Sequence, residues 1–94
     1  MLIMLVERFD RADVVAIYRR VRDEGRGLPD GLRYVDSWVE AGFGRCFQLM
    51  ECDDLAALQA WILRSRDLGV AFEVVPVLTS RETQAVVAPF LDRP

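Results

Sequence analysis

A chain of 94 residues has the length of one domain, and 52% hydrophobic with 29% charged side chains is the composition of a folded protein, which excludes a disordered tail. Folding at this size buries only about 60–65% of the surface of the unfolded chain, so such domains gain stability by pairing with a second copy. A net charge of −3 argues against nucleic acid as a partner, because phosphate binding rests on a positive surface.

Residues 1–9 form an apolar run of strand length, closed by Asp10. Over 13–24, Val14, Ile17, Tyr18 and Val21 recur at helical spacing, with Asp10 or Asp13 placed to cap the start and Gly25 or Gly27 the end. Gly27-Leu28-Pro29-Asp30-Gly31 reads as a loop. Two strands follow over 32–41 and 45–52, joined as a hairpin at Gly42-Phe43-Gly44. Asp53 or Asp54 begins a second helix with Leu55, Leu58, Trp61, Ile62 and Ser65 on one side, ending near Gly69. Residues 70–78 return as a strand rich in β-branched side chains, in which Pro76 lacks a ladder donor and predicts an edge position or a bulge. Thr79-Ser80-Arg81-Glu82 has the spacing of a capping box and opens a short C-terminal helix carrying Val86, Val87 and Phe90.

The order βαββαβ with an added helix predicts an α+β, ferredoxin-like domain over residues 1–94, its four-stranded antiparallel sheet covered by helices on one face. The first strand is apolar at nearly every position from Leu2 to Val6, and the fourth at Val70, Ala71, Phe72, Val74 and Val75, whereas a sheet buried on one side alternates. Burial on both sides needs a cover for the open face. The simplest cover is a second copy, packed sheet against sheet as a homodimer.

The runs Val6-Glu7-Arg8-Phe9, Gly31-Leu32-Arg33-Tyr34-Val35-Asp36-Ser37-Trp38-Val39 and Cys46-Phe47-Gln48-Leu49-Met50-Glu51-Cys52-Asp53 resemble an uncharacterised bacterial family known only as domain of unknown function 3303, over nearly the whole chain. The resemblance implies a ferredoxin-like subunit akin to the dimeric α/β-barrel superfamily, and it brings no established activity, cofactor or catalytic residue. That superfamily includes cofactor-free monooxygenases, lactone isomerases and haem enzymes, typically working in a cleft between the open sheet face and nearby helices or loops. Fold analogy does not choose among them.

The missing residue types narrow the choice. The chain has no His, Lys or Asn, all 12 of its positive side chains being Arg, so a histidine base, a Schiff-base lysine and most nucleophilic triads are excluded. Haem, zinc and copper sites lose their usual ligands and no CxxC spacing occurs, so the expected cofactor is none. Asp53-Asp54 reads as a helix start, and no metal is expected there. Cys46 and Cys52 lie six residues apart on one predicted strand, about 20 Å and well beyond disulfide reach. Free thiols, together with an N-terminal run that meets Glu7-Arg8 without the pattern of a signal peptide, predict a cytoplasmic protein with no membrane partner.

Candidate site residues come from the second and third strands. Under strict alternation Tyr34, Asp36, Trp38 and Glu40 share one face, with Val35, Ser37, Val39 and Ala41 on the core side. The first set is too aromatic for a solvated face and too acidic for a core. Tyr34, Trp38, Gln48 and Met50 read either as a pocket for a small hydrophobic or aromatic molecule or as the core of a dimer interface, and in the latter case the protein is purely an interaction module. Asp36 and Glu40 either act in proton transfer or pair with an Arg. For a cofactor-independent monooxygenase or isomerase the catalytic base is Asp36, with Trp38 and Gln48 positioning the substrate and Arg8 or Arg33 holding an enolate-like charge. Which parity of the first strand joins this face is undecided by pattern, so Glu7 and Arg8 are both candidates. Cys46 and Cys52 read as structural thiols unless Arg45 or Arg33 lowers their pKa. Gly42-Phe43-Gly44 looks like the start of an RNA-recognition signature, but Arg45-Cys46 replaces its aromatic and aliphatic pair, and RNA is not an expected partner.

Overall fold

In the computed structural model, which describes residues 1–93, the N-terminal run becomes β1 (Leu2–Arg8) and leads into α1 (Val14–Glu24); Pro94, the end of the predicted domain, lies outside the described residues. Asp13 caps α1, its Oδ1 accepting the Ala16 N–H at 3.2 Å, and Gly25 closes the helix at a positive φ of 73°. β2 (Leu32–Val39) ends two residues before the spacing predicts. The Glu40 N–H donates to Arg45 O and the Phe43 N–H turns back to Glu40 O, both at 2.9 Å, which starts the turn at Glu40 and puts Phe43 in the left-handed region at φ 61°. β3 (Arg45–Cys52) completes the hairpin.

Asp54 rather than Asp53 caps α2 (Leu55–Arg64), because both Asp53 oxygens accept from the Arg33 guanidinium. A 3₁₀ turn at Arg66–Leu68 and Gly69 carry the chain into β4 (Ala71–Val77), and the predicted capping box of Thr79 and Glu82 opens α3 (Ser80–Val87). The strand order is β2-β3-β1-β4 with every neighbouring pair antiparallel, which is the ferredoxin-like α+β arrangement. β4 is an edge strand, the position that tolerates Pro76.

One irregularity re-phases β2. Tyr34 pairs with Met50 and Asp36 with Leu49, leaving Val35 as an extra residue in a bulge. Beyond it the alternation shifts by one, so the expected set of Tyr34, Asp36, Trp38 and Glu40 does not share a face. Tyr34 and Ser37 lie on the helix side with Met50 and Gln48, and the Tyr34 hydroxyl meets Ser37 Oγ at 2.6 Å across the bulge. Asp36 and Trp38 lie on the open side with Leu49 and Phe47. Of the residues expected on the core side, Val35 and Val39 are exposed.

The core lies mostly under α2. Leu58 and Trp61 pack on Ile3, Leu5, Leu32, Met50 and Cys52, with Leu28, Ile62 and Phe72 alongside. Burial of each large apolar side chain contributes about 1.5–3 kcal/mol. α1, by contrast, fully buries none of its residues. β1 is buried on both sides as its sequence predicts, through Ile3 and Leu5 under the helices and Val6 on the open face. β4 is not, and Val74 at the sheet rim is 41% exposed. The open face carries the partly buried side chains of Leu2, Met4, Phe47, Leu49, Val75 and Val77 beside Trp38, which is 52% exposed. Every residue from Leu78 to Arg93 is exposed, Val86, Val87, Phe90 and Leu91 among them. Among the described residues no helix is long and apolar enough to cross a membrane.

Candidate functional site

The space that α1 leaves beneath itself is a cavity of about 380 Å³. Its floor is the helix side of the sheet, with Glu7 from β1, Cys46 and Gln48 from β3, Ser37 from β2 and Phe72 from β4. Ile17, Tyr18 and Val21 of α1 form one wall, and Trp61 and Ser65 stand on the α2 side. Most of the lining surface is apolar, and Glu7, Arg20, Glu24, Arg26 and Arg64 bring charge to it, a mixture suited to a small molecule with a polar group.

Those polar groups are held from several elements. Gly25 and Gly27, with φ of 73° and 66°, flank Arg26 and bend the chain after α1 in a way other residues resist. The Arg26 carbonyl accepts the Trp61 indole N–H at 2.9 Å, and Trp61 meets Phe72 edge to face with ring centroids 5.6 Å apart. The Arg26 guanidinium lies 3.7 Å over the Tyr34 ring and donates to Gln48 Oε1 at 2.9 Å. Gln48 is only 4% exposed, and its Nε2 has no hydrogen-bond partner among the described residues. Because Arg26 is a donor only, Gln48 must turn its oxygen toward Arg26, which leaves the amide hydrogens free.

Burial pushes the Glu7 carboxyl up from 4.5 to about 7, against the opposing pull of the Arg26 charge. The same burial, with the Glu7 charge added, pushes the Cys46 thiol up to about 11. Cys46 therefore stays protonated and is a structural thiol, as its sequence context suggests. Tyr18 is also raised, chiefly by desolvation and then by Cys46 and Glu7. Among the described residues no three His, Cys, Asp or Glu side chains come together as a metal-ligand set.

Of the candidates read from sequence, Gln48 lines this cavity and Tyr34 reaches its margin through Arg26 and Ser37. Met50 is fully buried in the core beneath α2. Trp38 and Asp36 lie on the opposite face of the sheet, where Asp36 Oδ1 accepts the Ser37 N–H at 2.8 Å. Glu40 forms a two-toothed ion pair with Arg45 at 2.8 and 3.0 Å, which holds its carboxyl below the usual range. Arg8 lies on the open side within 3.7 Å of Glu73, and Arg33 is engaged by Asp53. The undecided parity of β1 resolves by pairing: Glu7 stands opposite Cys46 on the helix side, and Arg8 turns the other way. Sequence reasoning missed Arg26, although the glycines on both sides of a single Arg were a legible signal.

A family model described as a domain of unknown function, DUF3303, matches residues 1–91. No curated protein and no solved structure matches the chain.

Proposed function

The chain belongs to that family of unknown function, and since membership carries no activity, we propose one from the cavity: the domain binds a small, mostly apolar or aromatic molecule bearing a hydrogen-bond acceptor, beneath α1. The observation that carries this reading is the buried Gln48 amide with its donor unmet. An unsatisfied buried polar group costs about 1–3 kcal/mol, which an acceptor on a ligand recovers. Trp61, Phe72 and Ile17 supply apolar surface beside it. Titration of the ¹⁵N-labelled protein with phenylacetone tests the reading. Shifts are expected at the Glu7 and Gln48 amides and the Trp61 indole. Shifts confined to Trp38, Phe47 and Leu49, or none, refute it.

A second reading concerns assembly. We propose that two copies pair through the open sheet face as a dimeric α/β barrel, working in a reducing compartment such as the cytoplasm. The apolar surface of Met4, Phe47, Leu49 and Trp38 supports the pairing, and the free, buried Cys46 and Cys52 support the compartment. On this reading Trp38→Arg gives monomers or aggregates in light scattering coupled to size exclusion, and a well-behaved dimer from that variant overturns it.

A further inference from the structure

The cavity sets a carboxyl group and an amide donor on one patch of sheet, with the Arg26 guanidinium reaching them from the loop after α1. β1 and β3 pair Glu7 with Cys46 and Leu5 with Gln48, which makes Glu7 and Gln48 diagonal neighbours on the helix side. Diagonal neighbours are about 7–8 Å apart at the backbone, close enough for two long side chains to meet one small functional group. The Glu7 carboxyl is engaged by no hydrogen bond or ion pair among the described residues, so it is free for chemistry. Arg26 is fixed at its carbonyl by Trp61 and at its guanidinium by Tyr34 and Gln48, and among the described residues its remaining N–H groups meet no carboxylate. Donors that are already positioned stabilise developing negative charge at little cost in reorganisation.

We infer that this cavity enolises a small neutral ketone with an aryl or alkyl substituent, Glu7 serving as the base and Gln48 with Arg26 receiving the oxygen. The inference rests on the binding reading above. In the step the C–H bond next to the carbonyl breaks and its proton passes to a Glu7 carboxylate oxygen. The C–H electron pair becomes the C=C bond, and the carbonyl π pair moves to oxygen, which accepts from Gln48 Nε2 and the Arg26 guanidinium. Return of the proton to the same carbon exchanges it with solvent, and return to a conjugated carbon moves a double bond. Neither outcome consumes an oxidant or a reductant.

The surroundings suit the role. The titratable and charged groups that face Glu7 are Cys46 on β3, Arg26 on the loop and Tyr18 on α1, while Arg20, Glu24 and Arg64 also line the cavity. A base works best when its pKa lies near the operating pH, and burial brings Glu7 to about 7.

The test is exchange of the benzylic protons of phenylacetone in D₂O, followed by ¹H NMR with full-length protein, alongside the binding titration for each variant. Wild-type exchange is expected to rise with pH through about pH 7 and then level as Glu7 ionises. Glu7→Gln is expected to slow it by about 10²–10⁴-fold with binding retained. Gln48→Met should slow it by about 10²–10³-fold, the usual cost of one donor to an oxyanion. Binding without exchange above the buffer rate overturns the inference and leaves the binding reading standing. Exchange that survives Glu7→Gln also overturns it, and absence of binding removes both.

Discussion

Replacing Glu7 by Gln should stabilise the protein, and by an amount that depends on pH. The folded state holds the Glu7 carboxyl neutral up to about pH 7, whereas in the unfolded chain it ionises near the ordinary value of 4.5. Between those values the folded state binds the proton more tightly, so the contribution of Glu7 to stability is complete below pH 4.5 and is lost as pH rises through 7. A difference of two to three pKa units amounts to about 3 kcal/mol at pH 8. Gln is neutral at every pH and close to the same shape. The variant should therefore match the wild type near pH 4 and exceed it by about 3 kcal/mol at pH 8, a rise in Tm of roughly 12–24 °C for a domain of this size. Urea unfolding followed by tryptophan fluorescence at several pH values measures the difference. Titration of the surface pairs Glu40–Arg45 and Asp53–Arg33 is common to both proteins and cancels. Parallel stability profiles, separated by less than about 0.5 kcal/mol throughout, would show that Glu7 is not desolvated and would refute the reasoning.

Gly69→Ala should destabilise by about 2 kcal/mol or more, because the residue sits at φ 72° and an added Cβ would meet the Arg11 carbonyl oxygen at 2.8 Å; a thermal melt indistinguishable from wild type would contradict this. Leu5→Ala empties a site that is fully buried at the centre of the sheet and should cost about 2–5 kcal/mol in denaturant unfolding, with a loss below 1 kcal/mol pointing to collapse of the neighbouring core.

The elements were legible because local chemistry dictates them. Asp13, Asp54 and the Thr79–Glu82 pair each satisfy helix N–H groups within a few residues, and such signals need no knowledge of the rest of the fold. Pro76 left β4 with an edge position or a bulge, and the sheet places it at the edge. The faces of β2 were not. A bulge residue carries no mark when it is Val, as good a strand former as any, so alternation counted through Val35 assigns Asp36 and Trp38 to the wrong partners. Glu7 was visible only as one of two parities, because β1 is apolar on both sides and its register is set by pairing with β3. Arg26 depends on long-range geometry, its partners Trp61, Tyr34 and Gln48 coming from three other elements.

The extra residue at Val35 has a consequence for how this strand can vary over time. In a regular strand two surfaces are written in alternate letters, and an insertion or deletion scrambles both at once. Here the bulge shifts the alternation by one, so that Leu32 and Tyr34 before it and Ser37 after it face the core and cavity, while Asp36 and Trp38 face the open side. Tyr34 and Ser37 therefore lie an odd number of positions apart on the same face, and an insertion or deletion at the bulge can be absorbed there without moving either set to the other face. Loss of Val35 itself would leave every ladder pairing in place, from Tyr34 with Met50 to Asp36 with Leu49, and would remove only the bend.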